Sequence, residues 1–153
     1  MIVKDILWGD AVNYRVISLT IMFPYCTFKC GEMNCQNYAL AQEKNVDVSV
    51  PDLVQQYIKD DMCEAVVMQG LEPFDSFNDV YEFISELRKY SNDPVVIYTG
   101  YNTSEIQEQI DILKEYKNII VKFGRYKPSE KPHFDSVLGV NLISNNQYAE
   151  KIS

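Results

Sequence analysis

The stretch VISLTIMF (Val16–Phe23), followed at once by PYCTFKCGEMNC (Pro24–Cys35), sets both the architecture and the chemistry of this chain. Its first part is a mostly apolar run that predicts a buried strand. Its second part places Cys26, Cys30 and Cys35 within ten residues, on the loop that leaves that strand. Three thiolates on a loop at a strand end can hold a soft metal and leave one coordination position open. The fourth cysteine, Cys63, lies in a different segment and does not complete a local four-thiolate set.

Downstream, Ser49 and Asp52 form a capping-box-like start, and Leu53, Val54, Tyr57 and Ile58 give a helix one apolar face. A short strand is predicted over Ala65–Met68, stopping at Gly70. Ser76 is the expected cap of a second helix, whose Val80, Phe83, Ile84 and Leu87 follow the helical template. Asn92, Asp93 and Pro94 break it before a strand at Val95–Tyr98. Thr103 is the expected cap of a third helix bearing Ile106, Ile110 and Leu113, and Ile119–Phe123 is a further strand. A loop with Pro128 and Pro132 then leads to a short apolar piece, Val137–Ile143. Short apolar strands separated by amphipathic helices predict an α/β fold with a mostly parallel sheet and right-handed crossovers. Sites in such folds lie at the C-terminal strand ends. That edge carries the cysteine loop, Gly70–Pro73, Thr99–Tyr101 and Gly124–Tyr126, so one site is expected there.

With 153 residues, a single compact domain over 1–153 is expected. Fourteen basic against 22 acidic residues leave a net charge of −8. That balance argues against a general nucleic-acid binder, which needs a basic footprint. MIVKDILWGDAVNYR, at the N-terminus, lacks the apolar core of a signal peptide. No apolar stretch nears the roughly 18 residues needed to span a bilayer. The expectation is a cytoplasmic protein with no membrane attachment. Where thiols stay reduced, clustered cysteines read as metal ligands before disulfides. From the cysteines alone two metals remain open: an iron–sulfur cluster, or zinc completed by a distant ligand such as Cys63 or His133. Cys63, just before an apolar strand, suits a small buried hydrophobe.

In its order of motifs the chain resembles the radical S-adenosylmethionine (SAM) enzymes. Cys26-Thr-Phe-Lys-Cys30 has the first spacing of their C-x-x-x-C-x-x-C motif, and Gly70-Leu71-Glu72-Pro73 is similar to their G-G-E-P. Ile97–Tyr101 is similar to their third-strand end, and Asp10–Arg15 to the D-x-x-x-x-R lead-in of the small activating enzymes. Length and motif order most resemble the activating component of the anaerobic ribonucleoside-triphosphate reductase. Departures fall in the second cysteine interval, which has four residues where that family usually has two, and at Asn34, which replaces an aromatic. Leu71 stands where the motif has a second glycine.

The resemblance implies an incomplete (β/α) barrel that binds a [4Fe–4S] cluster through Cys26, Cys30 and Cys35. It implies SAM on the fourth iron and its reductive cleavage to a 5′-deoxyadenosyl radical. It further implies a large glycyl-radical enzyme, the anaerobic ribonucleotide reductase, as partner, and an electron donor such as flavodoxin or ferredoxin. By the same resemblance Gly70, Glu72 and Pro73 form a turn against the methionine end of SAM, with Glu72 accepting from its ammonium. Thr99 and Gly100 then approach the ligand from the third strand end. Arg15 is a candidate for a carboxylate or for docking a partner, with a surface ion pair as the plainer reading. Lys122, Arg125, Lys127 and Lys131 form a basic segment that suits the SAM carboxylate, an acidic partner or solvent. Two other readings stand beside this one. One is a radical SAM enzyme acting on another glycyl-radical enzyme, a peptide or a nucleotide. The other is a noncatalytic iron–sulfur or zinc module.

Overall fold

The computed structural model describes residues 1–32 and 35–153. In chain order its first half comprises β1 (Ile2–Val3), β2 (Asp5–Asp10), β3 (Ser18–Phe23), α1 (Tyr38–Gln42), β4 (Val46–Asp47), α2 (Val50–Lys59) and β5 (Ala65–Gly70). The second half comprises α3 (Phe77–Leu87), β6 (Val95–Tyr98), α4 (Gln107–Leu113), β7 (Ile119–Phe123), β8 (His133–Asp135), β9 (Val140–Leu142) and β10 (Tyr148–Lys151). Six strands form one sheet in the order β10-β7-β6-β5-β3-β2. The four central strands are parallel, and β2 and β10 flank them antiparallel. β8 and β9 pair as a separate antiparallel hairpin.

Alternation along the strands divides the core into two clusters. Leu19, Ile21 and Phe23 of β3, Val66 and Met68 of β5, Val95 and Ile97 of β6, and Ile119 and Val121 of β7 share one face. Helices α2, α3 and α4 all cover that face, through residues such as Leu53, Phe83, Ile84 and Leu113. Each large side chain fully buried there stabilises the fold by about 1.5–3 kcal/mol. The other face holds Ala65, Val67, Val96 and Ile120, covered by Tyr14 and by Leu138 and Leu142 of the C-terminal hairpin region. Among the described residues no helix is long and apolar enough to cross a membrane.

Several local expectations need correction. The Val16–Phe23 strand begins only at Ser18, where the β2–β3 register, shifted between Leu7 and Asp10, takes up its pairing. Ser49 does cap α2 by accepting from the Asp52 N–H, but Ile58 lies off the buried face and is 39% exposed. Ser76 makes no capping bond, because the chain enters α3 through a 3₁₀ turn, Pro73–Ser76, started by Glu72. Thr103 likewise opens a 3₁₀ turn, Thr103–Glu105, and α4 starts later, at Gln107.

Candidate metal centre and its cavity

The parallel strands end on one edge, and a cavity of about 460 Å³ lies there. Cys26, Cys30 and Cys35 line it from the loop after β3. Gly70, Leu71 and Glu72 line it from the end of β5, Thr99 and Gly100 from the end of β6, and Gly124 and Arg125 from the end of β7. Alternation adds Gln69, Tyr98 and Lys122, which point to the face opposite the helices. Val140 to Ile143 close one side from the C-terminal hairpin.

Gly70 is what lets β3 and β5 end so tightly. Its φ is +106°, and a Cβ there would stand 2.7 Å from the Phe23 nitrogen. No other residue type fits such a position without displacing the backbone. The chain then turns so that Leu71 N–H donates to the Phe23 carbonyl and Glu72 N–H to the Tyr25 carbonyl, tying this turn to the cysteine loop.

Glu72 is 5% exposed. Its carboxylate accepts from Thr99 Oγ1 at 2.7 Å, from Gly100 N–H at 2.9 Å and from Phe74 N–H at 3.2 Å. Burial pushes its pKa up to about 7, against the pull of these hydrogen bonds. The Thr99 hydroxyl, which donates to Glu72, also accepts from Tyr101 N–H at 3.0 Å. Thr99 therefore positions Glu72, its one hydroxyl proton spent on that carboxylate. Gly100 contributes its N–H; a Cβ there would make only ordinary contacts, the nearest at 3.4 Å.

Lys122 is the least expected member of the site. It interrupts the apolar strand IIVKF and is 6% exposed, whereas Lys127 and Lys131 of the same basic segment lie in solvent. Its Nζ donates to the Gly124 carbonyl at 3.1 Å and stands 5.8 Å from the centre of the Tyr98 ring. Burial lowers its pKa to about 8, opposed by the nearby Glu72 and Cys30. A lysine inside a buried strand is itself a sequence signal for such a site.

Burial pushes the Cys26 thiol up to about 11 and raises that of Cys30 as well. A thiolate at either position thus calls for a compensating cation. Among the described residues no three Cys, His, Asp or Glu side chains are already drawn into ligating geometry. Met33 and Asn34, in the long interval between Cys30 and Cys35, lie outside the described residues, and so does any role of Asn34 in place of an aromatic.

Two candidates sit away from the cavity. Arg15 is exposed, and its guanidinium donates to the carbonyls of Ser136 and Val137. Pro73 is buried at the start of its 3₁₀ turn and does not line the cavity. Neither Cys63, before the far end of β5, nor His133, in β8, lines it either.

A family model described as a 4Fe-4S single cluster domain matches residues 14–147. The chain belongs to that family. No curated protein and no solved structure matches it. The matched span of this 4Fe-4S domain contains all three cavity cysteines and the four parallel strands of the sheet, but not its antiparallel flanks β2 and β10. The donors fit the group. Three thiols meet at one cavity, and its volume lies within the roughly 300–1,000 Å³ of small-molecule sites.

Proposed function

We propose that this 4Fe-4S protein is a radical SAM enzyme that generates a glycyl radical on a large partner, the anaerobic ribonucleoside-triphosphate reductase. The observation that carries the proposal is one cavity lined by three cysteines together with a buried carboxylate, Glu72, and a buried ammonium, Lys122. Cys26, Cys30 and Cys35 would hold three irons of the cluster and leave the fourth without a protein ligand. The bound cluster would supply the electron that cleaves SAM to methionine and a 5′-deoxyadenosyl radical.

The remaining work falls to the chain's own residues. A carboxylate has about four lone-pair sites. Three of those on Glu72 are taken by donors from neutral groups, which leaves one for the ammonium of an amino acid. Lys122, with one hydrogen bond, keeps donors for the matching carboxylate. Gly70 lets the β5 end turn tightly against β3, and Thr99 with the Gly100 N–H fixes Glu72. Buried as Glu72 and Lys122 are, their charges count for more than they would in bulk water.

All three crossover helices pack on one face of the parallel strands. We read this single-sided winding as an incomplete (β/α) barrel, since doubly wound sheets carry helices on both faces. A short, open-sided barrel suits a macromolecule that inserts a peptide loop. An electron donor such as flavodoxin or ferredoxin would reduce the cluster.

The test is anaerobic reconstitution with iron and sulfide, reduction with dithionite, and chromatography after adding SAM. The expected result is 5′-deoxyadenosine formed by the intact chain and abolished in Cys30→Ala. About four irons bound with no such product would favour an electron-transfer module. Failure of the candidate reductase to gain a SAM-dependent glycyl radical signal in electron paramagnetic resonance would sink the partner assignment alone.

A further inference from the structure

The loop between Cys26 and Cys30 is gripped by Asp75 and Tyr101, which do not line the cavity. Thr27 lies between the two cysteines. Its N–H donates to Asp75 Oδ2 at 2.9 Å, and its hydroxyl stands 3.2 Å from the Tyr101 hydroxyl. Tyr101 in turn donates to Asp75 Oδ1 at 2.7 Å. Two residues on, Lys29 Nζ lies 4.9 Å from the centre of the Tyr101 ring and 4.0 Å from Glu105 Oε1. Arg125 stacks over the same ring at 5.4 Å and holds both Glu105 oxygens, at 2.7 and 2.9 Å.

One aromatic side chain from the β6 end thus touches the cysteine loop at two residues. A carboxylate from the β5 end and a guanidinium from the β7 end fix it in place. The contact to Asp75 is a short hydrogen bond to a carboxylate oxygen, at 2.7 Å. The lysine and arginine contacts are partly exposed and weaker. The segment after Cys35 is tied down elsewhere, by Asn37 Nδ2 donating to the Gly70 carbonyl at 2.7 Å.

We propose that Tyr101, held by Asp75, is a positioning residue for the metal centre. It fixes the Cys26–Cys30 segment, so that two of the three thiols face the cavity before the cluster binds. The inference rests on reading Cys26, Cys30 and Cys35 as the cluster's ligands, and it is independent of SAM chemistry. Residues that orient metal ligands without touching the metal typically affect metal retention about 10- to 100-fold.

The experiment uses the full chain, reconstituted anaerobically, as wild type, Tyr101→Phe, Thr27→Val, their double variant and Cys30→Ala. The readouts are iron content, the rate of visible-absorbance loss under an iron chelator, the midpoint potential, and the melting temperature before loading. Tyr101→Phe keeps the ring for Lys29 and Arg125 and removes only the hydroxyl. It is expected to load iron, lose it about tenfold faster and show a shifted potential, with a small fall in the unloaded melting temperature. The double variant is expected to lose iron no faster than Tyr101→Phe, because both changes break one contact. Loss at the wild-type rate in Tyr101→Phe overturns the proposal. So does faster loss with the midpoint potential of the wild type. Undiminished iron retention in Cys30→Ala overturns the ligand reading and the proposal with it.

Discussion

Asp10 shows how much a single buried carboxylate does outside the cavity. It is 4% exposed and accepts from Asn13 Nδ2, Thr20 Oγ1 and Val12 N–H. Burial pushes its pKa up, yet these donors together bring it below the usual aspartate value. An acid held below its unfolded value contributes stability that is present above about pH 4 and is lost as pH falls through the folded value. Asp10→Asn is expected to cost about 1–3 kcal/mol at pH 7, since its amide meets donors with a donor. In urea unfolding the gap to wild type should narrow below about pH 4. A gap that stays constant from pH 7 to pH 3 would show that the charge does not matter. At this scale the cysteines and Glu72 are legible in the sequence, because their spacing and neighbours carry the signal. Arg15 is not, because its acceptors lie 121 and 122 positions further along the chain.

Among the elements, the lead-in between β2 and β3 and the hairpin β8–β9 form one unit. Arg15 reaches the Ser136 and Val137 carbonyls, and Gly139, at φ +74°, presses so closely that a Cβ there would stand 2.8 Å from Arg15 Cβ. The Asp135 carboxylate organises the hairpin turn through the N–H groups of Val137 and Leu138. Arg15→Ala should therefore raise amide hydrogen exchange across Val137–Leu142 while leaving β5 to β7 protected. Equal exchange in both proteins would mean that the hairpin is held by its apolar contacts alone. Helices α2 and α3 and strands β5, β6 and β7 are legible because their apolar residues are dense and correctly spaced. The edge strands DILWGD and YAEK are not, since half-exposed edges mix polar and apolar residues without a run.

For the molecule as a whole, the parallel strands gather the site and the antiparallel flanks close the sheet. β10 adds four paired residues to β7. A chain ending at Gln147 should lose about 1–3 kcal/mol of stability. Its uncovered β7 edge should pair with a second copy, seen as a shift in light-scattering mass. A strictly monomeric, equally stable truncation would show that β10 is dispensable. The cavity is legible only in part: its rim follows from the strand-end motifs. Tyr98 and Lys122 follow once the strand parity is known, and the hairpin wall has no motif at all.

That wall has a consequence for how such proteins diversify. Val140 to Ile143 shape the entrance, yet they belong to no strand of the parallel sheet, and of the four only Leu142 is buried in the second core cluster. The exposed Asn141 and Ile143 can therefore be replaced, changing what is admitted, while Leu142 is held by the core and the thiols stay as they are. The entrance and the thiol loop lie on separate stretches of chain.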